Sequence, residues 1–246
     1  MQHQLAVVCL AAGSVDYIRA ATGQIGALQT HARLADHVLM IERGSYGNDD
    51  HKRLADMGWI VKIVDPIRTQ SGPFVAARWK YTFTTMHAWN LTEYKTVAFI
   101  DLDALPVDNI MDLFQFKPFA ATRANEEKDN RFSTGVMVIN PDKHVYEELI
   151  SFTTETPFEK NGAKCGDQGV INCFIRRGYR YRNWHECFTR IPSIWNWKYW
   201  KVATPKDIKI AHIRPTPWSG YVFPNNSRMT PYVSQWKDHM KRVLSK

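Results

Sequence analysis

Apolar and polar residues follow each other along this chain in blocks of recognisable period. Residues 5–10 (LAVVCL) form a continuous apolar run of strand length. Residues 17–30 then take helical spacing, with Ile18, Ala21, Ile25 and Leu28 on one side. Residues 37–41 predict a second strand, and residues 49–57 a short helix stopped by Gly58. Residues 59–64 predict a third strand and residues 97–100 a fourth. Between them, residues 78–91 predict a helix whose inner face carries Tyr81, Thr85, Ala88 and Trp89. Strands buried on both faces read as unbroken apolar runs, as these do. The βαβαβαβ rhythm therefore predicts an α/β fold, a mainly parallel, Rossmann-like sheet with helices on both sides. Past residue 104 the rhythm loosens. Residues 135–140 and 208–213 predict strands, and residues 145–153 and 168–177 predict helices. Residues 184–200 are crowded with Trp, Pro and Asn and read as a loop lined with aromatics.

Composition narrows the classes. A chain of 246 residues suits one α/β domain, and 44% hydrophobic residues exclude disorder as a description of the whole. The formal charge of +8 favours anionic ligands. The positive residues are scattered, and Arg176, Arg177, Arg180 and Arg182 are the densest cluster. That gives nucleic acid little support as a partner, while a diphosphate-bearing substrate fits. No window approaches the ~20 apolar residues of a membrane span, so none is expected. The four cysteines form no CxxC pair, and Cys9 sits in an apolar run. A reducing compartment, and so a cytoplasmic location, is the simpler expectation.

Asp101-Leu102-Asp103 directly follows the fourth strand. Ligands of open α/β sheets bind beyond the carboxyl ends of strands. Two acids at i and i+2 in extended chain point the same way, and their charges repel unless a cation is shared. Mg²⁺ or Mn²⁺ suits such oxygens and keeps positions open for phosphate, so a nucleoside diphosphate is the natural third party. The alternative is that both acids cap the turn before Pro106. His212 ends the last predicted strand and is a ligand if it converges with them, a structural histidine if not. Asp167 and Gln168 open a helix. Asp167 is an N-cap on one reading and binds an acceptor hydroxyl on the other.

Several segments in order resemble one family. Residues 89–94 (WNLTEY) and 97–103 (VAFIDLD) resemble a helix–strand–DxD block, and residues 132–139 (FSTGVMVI) a Phe-Asn-Ser-Gly-Val strand. Gly166-Asp167-Gln168-Gly169, with Asn172 following, resembles an Asp-Gln-Gly helix start. Residues 191–196 (IPSIWN) resemble Leu-Pro-x-x-Tyr-Asn, and His212 with Pro217-Trp218 a closing His…Lys-Pro-Trp signature. At the start, Leu10, Ala11, Ala12 and Tyr17 resemble a donor-base segment. Together these look like glycosyltransferase family eight, the glycogenin-like retaining glycosyltransferases.

The resemblance implies a single GT-A domain over residues 1–246. Its nucleotide-binding half would be about 1–103, its acceptor half about 104–220, and a C-terminal helix about 230–246. It implies a UDP-sugar donor, Mn²⁺ or Mg²⁺ as cofactor, and a glycan or protein-linked glycan as acceptor. A homodimer is admissible. Asp101, Asp103 and His212 inherit the metal role. Ala11 and Tyr17 inherit the uridine, and Leu102, Ser133 and Arg78 inherit further donor contacts. Asp167 and Gln168 inherit the sugar and acceptor site. The family carries Asn where Ser133 stands, Lys where Thr85 stands, and Lys before Pro-Trp where Thr216 stands; Arg214 is the cation expected to replace that last lysine. Two other classes remain open on the residues alone. A nucleotidyltransferase or sugar-phosphate pyrophosphorylase would carry a Gly-rich basic loop where Ala11-Ala12-Gly13-Ser14 stands. A non-catalytic carbohydrate-binding protein would use the Trp-rich stretch.

Overall fold

β1 (His3–Ala11) is the strand around which the sheet is assembled. Its residues alternate between two cores: Val7, Cys9 and Ala11 pack on one face and Ala6 and Val8 on the other, all fully buried. In the computed structural model the described residues are 3–69, 80–124, 131–156, 166–176, 188–198, 207–213 and 230–245. α1 (Asp16–His31), β2 (Asp36–Glu42), α2 (Asn48–Asp56), β3 (Ile60–Val64) and β4 (Tyr94–Ile100) follow in the predicted order. β5 (Ala104–Pro106), β6 (Ala120–Arg123), β7 (Phe132–Ile139), α3 (Lys143–Glu155) and α4 (Gly166–Arg176) come next. β8 (Thr189–Ile191), β9 (Trp197–Lys198), β10 (Ile210–His212) and α5 (Thr230–Leu244) complete the described strands and α-helices.

Seven strands form the main sheet in the order β3-β2-β1-β4-β7-β6-β8, and β5-β10-β9 form a small second sheet. The main sheet is parallel except at β7, which runs against both β4 and β6. The sheet is thus mainly parallel, as expected, with β7 as its antiparallel strand. Every residue of β7 is buried, and a strand buried on both faces is apolar throughout whichever way it runs.

Two further expectations change. The helix expected over residues 78–91 is a 3-10 helix over Thr82–Asn90 in its described part. Its Thr-Phe-Thr-Thr run is poor in helix formers, and Thr85 Oγ1 bonds back to the carbonyl of Thr82 at 2.5 Å. The aromatic loop expected over residues 184–200 holds β8, a 3-10 turn at Ser193–Asn196, and β9. Trp195 and Trp197 are core residues, so the aromatic crowding there builds the fold.

α1 and α5 pack closely because Gly23 and Gly26 leave room for α5. A side-chain carbon on Gly23 would run into the Trp236 ring, and one on Gly26 would meet His239 and Val243. His239 is buried in this contact, its ring 6.0 Å from that of His31. Burial, then the charges of Arg242 and His31, push the His239 pKa down to about 4, while Asp238 acts the other way. Burial lowers His31 as well. The unfolded histidine titrates near ~6.5, so between that pH and about 4 the unfolded chain binds more protons. Stability is therefore full above ~6.5 and falls as the pH drops toward 4. Thermal melts from neutral to mildly acidic pH should show this fall. His239→Gln should flatten part of it, and a midpoint as pH-sensitive in that variant as in the parent would remove His239 from the account.

Candidate active site

The site is organised at a bulge in β7. Ala121 of β6 pairs with Met137, but the next residue, Thr122, pairs with Ser133. Residues 134–136 thus have no pairing partner on β6. Such bulges re-aim side chains beside functional sites. Here the bulged stretch faces three groups of polar residues.

The first group is Asp101, Asp103 and His212, one ligand atom of each lying within 4.8 Å of the others. The acids meet by a turn and not in extended chain. The Ala104 N–H bonds to the Asp101 carbonyl at 2.9 Å, and Leu102 between them is buried in the core. The Asp101 N–H bonds to the Gly135 carbonyl at 3.0 Å, and the Ile213 N–H to the Asp103 carbonyl at 2.6 Å. These bonds join β4, β7 and β10 at one point. His212 Nε2 lies 3.1 Å from Asp103 Oδ1. Its Nδ1 lies 2.8 Å from Asn196 Oδ1. The Asn196 amide donates to Thr122 and Ser133, so its oxygen faces the imidazole and accepts the Nδ1 proton. Nε2 is then the nitrogen turned toward the acids, the arrangement in which a second partner orients a metal-binding histidine.

The donor set fits a hard or borderline divalent cation: two carboxylates and one imidazole. Gly135 supplies the space. A side-chain carbon there would lie 2.9 Å from Asp101 Oδ2 and 2.9 Å from His212 Cε1.

The second group is Ser133 with Asn196 and Lys198. Lys198 Nζ donates to Ser133 Oγ at 2.9 Å, and Asn196 Nδ2 approaches the same oxygen at 3.3 Å. Sequence reasoning assigned no role to Asn196, Lys198 or Gly135. The first and last stood inside recognised motifs. Lys198 was hidden because residues 184–200 read as a loop, which carries no strand register.

The third group is Asp167 at the start of α4. It is buried, and burial raises its pKa, while bonds from the Thr134 and Thr82 hydroxyls and from backbone N–H groups act against that rise. Its own N–H donates to Thr82 Oγ1 at 3.2 Å. Asn172 fixes the helix to β7: Oδ1 accepts from the Phe132 N–H at 3.1 Å, and Nδ2 donates to the Phe132 carbonyl at 3.0 Å. Gln168 is half-buried one residue along.

On the strand next to β4, Ala11 is fully buried at the end of β1, while Tyr17 in α1 is 37% exposed. The loop between them is held by the Gly13 N–H on Ser45 Oγ at 3.1 Å and by Tyr46 Oη on the Ser14 carbonyl at 2.9 Å. Arg78 and Arg214 lie outside the described residues.

No family model matches the chain. Among curated proteins it is 34% identical over 117 residues to glycogenin-1 of Caenorhabditis elegans, 47% of this chain and 25% of that protein. It is 28% identical over 194 residues to the candidate UDP-glucuronate:xylan alpha-glucuronosyltransferase 3 of Arabidopsis thaliana, 77% of this chain and 28% of that protein. The chain thus spans about a quarter of the length of the curated relatives it matches. Among solved structures, glycosyltransferase GlyE of Streptococcus pneumoniae TIGR4 matches 99% of this chain with 64% of its own, at 17% identity and TM-score 0.66. Galactosyltransferase LgtC, solved with donor and acceptor sugar analogues, matches 96% of this chain with 95% of its own, at 12% identity and TM-score 0.64. The α/β fold is that of the GT-A glycosyltransferases. Among the described residues no helix is long and apolar enough to cross a membrane.

The space at Gly135 is open to a direct test. Gly135→Ala puts a methyl group against Asp101 and His212, and should weaken Mn²⁺ binding by roughly tenfold or more, the usual cost of disturbing a ligand's support. Calorimetric titration with MnCl₂ measures it. Equal affinity in parent and variant would mean that the ion, if bound, is held elsewhere.

Proposed function

We propose, from a chain related in sequence and fold to the glycogenin-like glycosyltransferases, that it moves a hexose or pentose from a UDP-sugar to an acceptor hydroxyl with retention at the anomeric carbon. The convergence of Asp101, Asp103 and His212 around Gly135 carries this reading. These three residues would hold Mn²⁺ or Mg²⁺. Bound there, the ion offsets the negative charge of the diphosphate.

The remaining roles belong to the chain itself. Tyr17 exposes its ring just past β1 and offers a flat apolar surface to uracil. Ala11 has its side chain in the core, so its contribution to the base is backbone. Leu102 anchors the turn that brings the acids together. Ser133 contacts the donor sugar, and Asp167 and Gln168 hold sugar and acceptor hydroxyls. A buried carboxylate that already accepts from Thr82 and Thr134 is a fixed acceptor, suited to orienting a hydroxyl. Arg78 and Arg214 are proposed as cations for the diphosphate. The anomeric C–O bond to the diphosphate lengthens through an oxocarbenium-like state as the bond to the acceptor oxygen forms, and the chain's task is to hold donor and acceptor together while charge builds on the leaving diphosphate.

The nucleotide-binding half falls at about residues 1–103 and the acceptor half at about 104–220. A relative named for transfer from UDP-glucuronate supports a uronic acid among the candidate donor sugars. The acceptor is a glycan, free or protein-linked. A homodimer has no support from fold or relatives. Cys9 and Cys173 are free thiols, which suits a reducing compartment such as the cytoplasm.

A screen of UDP-sugars with Mn²⁺, reading released UDP, should give turnover with at least one donor. EDTA should abolish that turnover, as should Asp103→Ala, with circular dichroism unchanged. Full turnover in EDTA would falsify the metal assignment. Tyr17→Ala should weaken UDP binding by roughly 1–3 kcal/mol, the range for base–aromatic stacking. Unaltered affinity would move the base away from α1.

A further inference from the structure

Lys198 stands beside His212 in a way that the sequence does not suggest. β9 and β10 are parallel, and Lys198 is in register with His212 while Trp197 is in register with Ala211. Partners on neighbouring strands share a face. Trp197 is buried in the core, so His212 and Lys198 occupy the other face together. The lysine stem is half-buried, and its ammonium reaches Ser133 Oγ at 2.9 Å. Ser133 is bonded in turn to Asn196, which holds His212 at 2.8 Å. The ammonium is thus anchored three hydrogen bonds from the imidazole of the candidate metal group.

Charge gives this position a purpose. Two carboxylates and a divalent cation sum to zero. A nucleoside diphosphate entering such a site brings negative charge that the ion does not fully cancel, and a further cation is required. An ammonium is a compact charge with three donors, well suited to phosphate or carboxylate oxygens. Among the described residues it donates to Ser133 Oγ, which fixes where the charge sits.

We infer that Lys198 binds an oxyanion of the donor, either the diphosphate or a carboxylate carried by the sugar, on the same side as the metal group. This rests on the reading of the chain as a UDP-sugar transferase. Lys198 would act by direct contact with the donor, and Ser133 and Asn196 by positioning it.

The test is calorimetry on the full chain with Mn²⁺, using uridine, UDP, UDP-glucose and UDP-glucuronate against the parent, Lys198→Gln and Lys198→Arg. If the diphosphate is the partner, Lys198→Gln weakens UDP and both UDP-sugars alike, by roughly tenfold or more, as for loss of a charged hydrogen bond. If a sugar carboxylate is the partner, the loss is confined to UDP-glucuronate. In both cases uridine binding is unchanged and Lys198→Arg recovers most of the affinity. Lys198→Gln within twofold of the parent for all three nucleotides overturns the inference. So does an equal loss for uridine, which marks a structural lysine. A parent chain that binds no UDP refutes the transferase reading itself and the inference with it, and is distinguishable because it shows before any variant is made.

Discussion

The interruption of pairing between β6 and β7 is the constraint on which the rest of the site depends. A regular ladder would pair residues 134–136 with β6. Because it breaks between Ala121 and Thr122, Ser133, Thr134 and Gly135 are presented to three different polar groups. Ser133 meets Asn196 and Lys198, Thr134 meets Asp167, and Gly135 meets Asp101 and His212. Each of these is small, and the crowding at Gly135 shows why: any side chain there would occupy the space between an acid and an imidazole. Sheet edges and bulges are where a fold can gather residues distant in sequence without opening its core.

The two sheets then share the work. The main sheet provides β4 and β7, which bring Asp101 and Gly135 together through a backbone hydrogen bond. The small sheet provides β5 and β10, whose antiparallel register sets His212 opposite Ala104, one residue past Asp103. A third tie between Asp103 and Ile213 closes the corner. One strand ladder and two further backbone hydrogen bonds thus fix the geometry of groups that would otherwise repel. Like charges held this close are tolerable when a cation or a donor network offsets them. Away from this corner, buried Glu42 makes a similar bargain, accepting from Arg68 and from Thr84 Oγ1 at 2.6 Å and tying β2 to the 3-10 helix.

Much of this was legible in the sequence, for identifiable reasons. β1 to β4 were readable because apolar runs of strand length alternated with helically spaced residues. Asp101, Asp103 and His212 were legible as a set only through the family resemblance, because the residues alone left both acids open as turn caps and His212 open as a structural histidine. The direction of β7 was not readable, since burial on both faces erases any signal of orientation. The 3-10 form of residues 82–90 was not readable from spacing alone, because the same residues meet the core in either helix. Lys198 was invisible for a third reason. Its place beside His212 is a matter of register between two- and three-residue strands, and strands that short leave no periodicity. The Leu102 side chain lies in the core and shapes the turn, so the donor contact expected of it falls to its backbone.

The central claim is that the Asp101–Asp103–His212 group binds a cation jointly with the donor's diphosphate. Joint binding is reciprocal, so the ion must raise UDP affinity by the same factor that UDP raises ion affinity. The most direct measurement is calorimetric titration of UDP with Mn²⁺ present and with EDTA, and of Mn²⁺ with and without UDP. The account predicts equal gains of roughly tenfold or more in the two directions, both lost in Asp103→Ala. A UDP affinity identical in Mn²⁺ and in EDTA would contradict it.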